Sequence, residues 1–213
     1  MKHHISVALV AVVALLAVAP IFAQAPKGWL LRADRSTRAE DPDAPGDIKL
    51  IATPSGFHAI NPQAAIYWNP ANKASGSYTL KGTFTLLQAG GHAEYYGLLF
   101  GGGDLEGPGQ NYLYFIIAPN GTWLIKRRTG DASTENVSAR APSSAVKQPD
   151  ASGKSTNTLE VRVKPDKIDF VVNGTVVNTQ PKTGQTAKTD GIYGIRVNHR
   201  LEVQVDGFGV SKP

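Results

Sequence analysis

Two Asn-Gly pairs, each set between runs that alternate apolar and polar residues, constrain this chain more than any other feature. The first run extends from Tyr112 to Ala118, turns at Asn120-Gly121 and resumes from Thr122 to Arg128. The second extends from Lys167 to Val172, turns at Asn173-Gly174 and resumes from Thr175 to Thr179. Asn and Gly tolerate the positive φ that a tight turn between twisted strands requires, so both segments read as β-hairpins. Strand-like segments also occupy 48–53, 56–60, 64–68, 78–88, 93–101, 158–164, 191–197 and 201–210. Gly, Pro and Asn turns separate them, and no segment carries an apolar stripe at helical spacing. About a dozen short strands of this kind predict an all-β fold, an antiparallel sandwich or barrel.

Successive side chains of a strand point to opposite sheet faces, so alternation assigns the core. Tyr78, Leu80, Phe84 and Leu86 share one face, as do Leu159, Val161 and Val163, and Leu201, Val203 and Val205. In the first hairpin a two-residue turn pairs Ala118 with Trp123, Ile116 with Ile125 and Tyr114 with Arg127. Leu113, Phe115, Ile117 and Leu124 then form a core face. Tyr112, Tyr114, Ile116, Trp123, Ile125 and Arg127 lie opposite, where other strands place solvated residues. Two readings stay open: these aromatics line a binding groove, or both faces of the hairpin are covered.

The N-terminal segment has the layout of a secretory signal peptide: Lys2, an uncharged apolar stretch from Ile5 to Phe22, and small residues at Ala23 and Ala25. Cleavage after Ala23 is expected, because a cut after Ala25 would place Pro26 next to the scissile bond. Residues 1–23 are thus expected to be removed, 24–47 to form an irregular leader anchored by Trp29, Leu30 and Leu31, and 48–213 to form one domain. After cleavage no membrane segment is expected, and the protein is expected in the periplasm or outside the cell. The chain has no cysteine, which excludes disulfides, thiolate catalysis, lipid-modified cysteine and cysteine zinc sites. Net charge is +5, and loss of Lys2 leaves +4. The signs are mixed along the chain, and the densest basic run is only Lys126-Arg127-Arg128, so no nucleic-acid partner is expected.

Several strand and turn strings carry a family likeness. They are Gly76-Ser77-Tyr78-Thr79-Leu80, Tyr96-Gly97-Leu98-Leu99-Phe100-Gly101, Asn157 through Val163, Phe170 through Gly174, Asp190 through Val197, and Val205-Asp206-Gly207-Phe208. Over roughly Gly46 to Val210 the chain resembles the concanavalin A-like lectin and glucanase superfamily, and within it bacterial secreted domains of the 3-keto-disaccharide hydrolase-like group. The resemblance implies an antiparallel jelly-roll β-sandwich, carbohydrate as the partner and, in a minority of members, a structural calcium. It carries fold-level patterns, and fold does not settle function. The Glu-x-Asp-x-Glu strand of jelly-roll glucanases is missing. The Asn111–Phe115 stretch also lacks the acidic residues usual in the hydrolase-like group.

Glycoside cleavage needs two carboxyl groups at a set separation. Asp104 and Glu106, in a glycine-flanked loop, are the only close acidic pair of that type and could instead hold calcium or close a turn. His92 and Glu94 lie two apart and can share a face, but two ligands are too few for a catalytic metal. Arg196, Asn198 and His199 either orient a polar ligand or close a turn. No nucleophile elbow is present. The leading expectation is an exported, non-catalytic glycan-interacting protein without a cofactor, using Tyr112, Tyr114, Trp123, Arg127, Arg196, Asn198 and His199. The enzyme alternative, hydrolase or lyase action on 3-keto-glycosides, rests on Asp104, Glu106, His92 and Glu94. A structural envelope protein is the third class.

Overall fold

The computed structural model describes residues 25–213, and the expected signal peptide lies outside them. In chain order the strands are β1 (Leu30–Ala33), β2 (Lys49–Thr53), β3 (Gly56–Asn61), β4 (Ala65–Ala74), β5 (Tyr78–Gln88), β6 (Tyr96–Gly103) and β7 (Asn111–Ile117). There follow β8 (Thr122–Thr129), β9 (Ser133–Pro142), β10 (Ser155–Val163), β11 (Lys167–Val172), β12 (Thr175–Pro181), β13 (Gly191–Val197) and β14 (Leu201–Ser211). Two seven-stranded sheets result: sheet I in the order β1-β4-β13-β6-β7-β8-β9, and sheet II in the order β12-β11-β10-β5-β14-β3-β2. All pairings are antiparallel, giving the expected jelly-roll sandwich.

The alternation read from the sequence explains the packing of sheet II. Leu80, Phe84 and Leu86 of β5 and Leu159, Val161 and Val163 of β10 enter the shared core, with Phe170 of β11 against Phe100 and Phe115 of sheet I. On the wet face, aligned residues pair across strands: Thr83 with Thr158 at 3.0 Å and Thr85 with Thr156 at 2.9 Å. Such directly opposed pairs stabilise a sheet register.

The two Asn-Gly pairs make different turns. At Asn173-Gly174 both residues have positive φ (50° and 84°), and Val172 faces Thr175 across a two-residue loop as expected. Asn173 also reaches out of the turn, its side-chain amide donating to the Ala145 carbonyl and to Asn157 at 2.8 Å each. A bulge after Phe170 then sets Phe170 opposite Asn178 rather than Val177. At Asn120-Gly121 only the glycine has positive φ (81°). The Gly121 N–H donates to the Ala118 carbonyl, and the Ala118 N–H closes the hairpin on Thr122 at 2.9 Å. Pro119 is the physical reason. A two-residue loop would need residue 119 to donate the closing hydrogen bond, and proline has no N–H. Pro119 instead takes the second position of a four-residue turn, which its fixed φ suits.

The longer loop moves the register by one residue: Ile117 faces Trp123, Ile116 faces Leu124 and Tyr114 faces Lys126. A slip of one residue exchanges the two faces of a strand. Trp123 and Ile125 therefore enter the sandwich core, and the expectation that Trp123 is a ligand-binding residue is corrected. Arg127 leaves the tyrosine face as well, its Nη1 donating to the Gln185 carbonyl at 3.0 Å. Leu124, Lys126 and Arg128 take the places beside Tyr112, Tyr114 and Ile116.

Two strands arise where loops were expected, β1 in the leader and β9 within 129–154. Both are edge strands of sheet I, and β9 is exposed at most positions, so neither carries the alternation that burial of one face imposes. Trp29 does anchor the leader, against Phe57 and Phe208 at ring separations of 4.6 and 5.8 Å. Leu30 and Leu31 do not, being 37% and 47% exposed.

With Trp123 in the core, Trp123→Ala should lower stability by about 3–5 kcal/mol. Arg127→Ala should change it by no more than about 0.5 kcal/mol. Denaturant melts of the two variants check the register, because a two-residue turn would reverse their order.

Candidate functional site

Sheet I is apolar on both faces in its middle strands. Tyr96, Leu98 and Phe100 of β6 and Leu113, Phe115 and Ile117 of β7 face the sandwich core. Leu99, Tyr112, Tyr114 and Ile116 project outward and form a second cluster with Ile66 and Trp68 of β4, covered by Tyr95 and Leu105. The near-continuous apolar runs of β6 and β7 have this two-sided burial as their cause. Tyr112 and Tyr114 are each 3% exposed, so Tyr112 is packing rather than an open sugar platform, and the covered-face reading holds for it.

Into this outer cluster β13 introduces Arg196, whose guanidinium lies 5.2 Å over the Tyr114 ring. Its Nη2 donates to Asp34 at 2.8 Å and its Nε to Asn198 at 3.1 Å. Arg128 of β8 donates to the other Asp34 oxygen at 3.2 Å. Burial on its own would raise the Asp34 pKa, but Arg196 and then Arg128 outweigh it and hold the carboxyl below the usual range. Burial also opposes the charge on Arg196, yet Tyr112, Tyr114 and Asp34 raise its pKa. Burial pushes the Tyr114 hydroxyl up to about 12. The Lys126 ammonium is shifted down, by burial first and then by the positive Arg196 and Arg128.

Beyond Asp34 the leader passes over the sheet and supplies Asp41 and Asp43. There they meet the segment before β6, carrying His92 and Glu94, and the β13–β14 turn, carrying Asn198 and His199. His92 Nε2 lies 2.9 Å from both Asp41 Oδ1 and Glu94 Oε1. His199 Nε2 lies 3.2 Å from the same two oxygens. The far nitrogen of His199, Nδ1, is 2.9 Å from Asp43 Oδ1, and Asn198 Nδ2 donates to Glu94 Oε2 at 2.8 Å. One ligand atom from each of Asp41, His92, Glu94 and His199 falls within a 4.8 Å span, the chemistry of a metal-binding set.

These groups form one wall of a cavity of about 570 Å³. Tyr114, Ile116, Leu124, Lys126 and Arg196 of sheet I form its floor, and Arg35 of the leader and Arg140 of β9 also line it. Arg140 lies 5.2 Å over the Tyr95 ring. The carboxylates of the region are engaged by Arg128, Arg196, His92 and His199, leaving Arg35, Lys126 and Arg140 without an ion-pair partner among the described residues.

Of the residues expected to bind a ligand, the structure brings Tyr114, Arg196, Asn198 and His199 to this cavity. Of those expected under the enzyme alternative, it brings His92 and Glu94 there and separates them from Asp104 and Glu106. All eight residues of β6 intervene, roughly 25 Å of extended chain. Asp104 closes its own loop, accepting from the Gly109 N–H at 2.9 Å, and no third carboxylate or imidazole joins it and Glu106 among the described residues. Asp34, Asp41, Lys126 and Arg140 were not anticipated. Only the proline before the first Asn-Gly pair could have pointed to Lys126, through the register; no local pattern marks the leader acids.

The sequence matches no protein-family model and no curated protein. Among solved structures it is similar to the carbohydrate binding module CBM66 from Bacillus subtilis, with a TM-score of 0.60 and 9% identity over 87% of this chain and 96% of that one. A Bacillus subtilis protein of unknown function with a galectin-like fold gives 0.58 and 14%, over 87% and 90%. A GH16 protein of the Bacteroides ovatus mixed-linkage glucan PUL, in complex with G4G4G3G product, gives 0.57 and 10%, over 89% and 96%. At such identities the likeness shows the fold alone, an antiparallel jelly-roll β-sandwich.

The Asp34 pairs have a pH signature. A carboxyl whose pKa is lowered on folding contributes stability above its unfolded pKa, ~3.9, and loses it as pH falls through the lower folded value. Asp34→Asn should therefore destabilise the protein by about 2–4 kcal/mol at neutral pH, below the top of the buried-pair range because water reaches part of Asp34. The difference from the unaltered protein should shrink as pH falls below about 4. Urea melts of both proteins from pH 7 to pH 3 read this directly.

Proposed function

We propose that this protein is exported and binds carbohydrate in the cavity on the outer face of sheet I. The observation that carries the reading is the cavity's composition: converging polar groups of both signs around a partly apolar floor, in a volume suited to a small saccharide. Sugar hydroxyls exchange hydrogen bonds with carboxylates, amides and guanidinium groups, while the C–H face of a pyranose packs on the half-buried Ala93 and Leu124. The fold shared with a carbohydrate binding module and with a glucan-product complex supports the same class of ligand. Arg35, Lys126 and Arg140 further favour a glycan bearing an acidic group, because these cations lack carboxylate partners.

A second reading, cleavage of 3-keto-glycosides in the manner of the hydrolase-like group resembled by the sequence, is favoured by one specific feature. Asp41, Glu94, His92 and His199 gather proton-transfer groups on the wall of that same cavity. Release of product from a 3-keto-glycoside, lost in Glu94→Gln, would establish this reading over binding alone.

The binding proposal is tested by a glycan array followed by calorimetry with neutral and uronate-containing oligosaccharides. Lys126→Ala and Arg140→Ala should each weaken binding about tenfold, equivalent to ~1.4 kcal/mol, with stability changed by no more than about 0.5 kcal/mol. Folded protein that binds no plant, microbial or host glycan would leave the cavity without its proposed ligand and favour an envelope or matrix role.

A further inference from the structure

We infer that Asp41, His92, Glu94 and His199 form a binding site for one divalent first-row transition-metal ion, with a coordination position open to the cavity. The inference goes beyond carbohydrate binding and does not depend on it.

Four observations carry it. First, the spacing is that of a coordination shell. Ligand atoms around an ion at ~2.0–2.2 Å sit roughly 3.0–3.5 Å from their neighbours. The four contacts linking the two imidazole nitrogens to the two carboxylate oxygens measure 2.9, 2.9, 3.2 and 3.2 Å. Second, His199 is 5% exposed, yet its Nε2 has no hydrogen-bond partner, and neither has the buried Asp41 Oδ1 that it faces. A buried imidazole nitrogen and carboxylate oxygen that face each other at 3.2 Å without a hydrogen bond are placed to share a cation, which would satisfy two polar atoms that are costly to bury unpaired.

Third, the surroundings prepare the ligands. Asp43 lies on His199 Nδ1, which fixes the tautomer that turns the Nε2 lone pair inward, the carboxylate–histidine–metal arrangement. Asn198 holds the second oxygen of Glu94 and is itself held by Arg196, so the carboxylate is oriented before any ion arrives. Fourth, His92 is 44% exposed on its side chain and all four ligands line the cavity, so water or a sugar hydroxyl can complete the shell from that side. Closed structural sites fill every position with protein, whereas sites that act on exogenous groups keep one open.

The donor set selects the ion. Two imidazoles suit zinc, nickel, cobalt or iron(II), whereas calcium and magnesium prefer all-oxygen shells of six or more ligands. A zinc-like ion in this place would both orient a sugar hydroxyl and raise its acidity, linking the site to either reading of the cavity.

The test uses the protein expressed from its full sequence, purified without an affinity tag and dialysed against chelator. Titration with zinc, nickel and cobalt chlorides, followed by calorimetry and by the visible absorption of cobalt, should show one saturable site and a raised melting temperature. Magnesium and calcium at the same concentrations should leave the melt unchanged. His92→Ala, on an exposed side chain whose loss leaves the core intact, should weaken binding at least tenfold. Asp43→Asn should weaken it about 10–100-fold while leaving the stoichiometry at one, as expected for a residue that positions a ligand. The double change Asp104→Asn, Glu106→Gln should leave it unaltered. The site would be overturned by folded protein that binds none of the three transition metals, by equal response to calcium, or by unchanged binding in His92→Ala. No glycan is present in the titrations. Metal binding without any glycan binding would therefore sink the carbohydrate reading alone, and glycan binding without metal would sink this one alone.

Discussion

The carboxylate of Asp34 holds the outer face of sheet I together. It is the shared acceptor for Arg196 of β13 and Arg128 of β8, two cations that would otherwise lie in an apolar cluster without counter-charge. Breaking such a buried set strands a charge, which costs far more than the pair itself contributes. The interaction also decides geometry. It pins the leader where it leaves β1, and the chain beyond it delivers Asp41 and Asp43 above the sheet. Arg196 then fixes Asn198, which fixes Glu94, so a single ion-paired carboxylate organises both the cavity floor and its acidic wall.

The candidate site is assembled from three distant parts of the chain: the leader around residue 41, the segment before β6 around residue 93, and the β13–β14 turn at residues 198 and 199. Each part contributes too little to be a site. His92 and Glu94 alone are two ligands, His199 alone is a turn residue, and the leader acids sit in an irregular stretch rich in Pro, Asp and Arg. The antiparallel neighbourhood of β6 and β13 brings two of these parts together, since Val197 pairs with Tyr96 at the end of both strands. Residues just outside a paired strand end are neighbours in space however far apart in sequence.

Much of the fold was legible in the residues. Eleven strands with one buried face, or two, announced themselves by alternation or by apolar runs, the exposed edge strand β12 followed from the Asn-Gly turn before it, and that second turn behaved as its dipeptide implies. The first did not, although its reason was written one residue earlier: Pro119 cannot donate the bond that closes a two-residue loop. That single missing N–H adds a residue to the loop, which turns Trp123 and Arg127 to the face opposite the one a two-residue turn would give them and brings Lys126 and Arg128 beside the tyrosines. The edge strands β1 and β9 were illegible for a different cause, since an exposed edge imposes no alternation.

By itself, then, the amino-acid sequence determined an all-β sandwich without disulfides and most of the residues that fill its core, because strand periodicity and turn chemistry are local and are repeated along the chain. Tertiary structure alone decided that sheet I is covered on its outer face, that a leader carboxylate closes that cover, and that His92, Glu94, His199 and Asp41 converge. Convergence of side chains separated by many residues depends on strand order and register, and no local pattern encodes either. A one-residue change of register leaves composition and periodicity untouched while it exchanges every side chain between core and site.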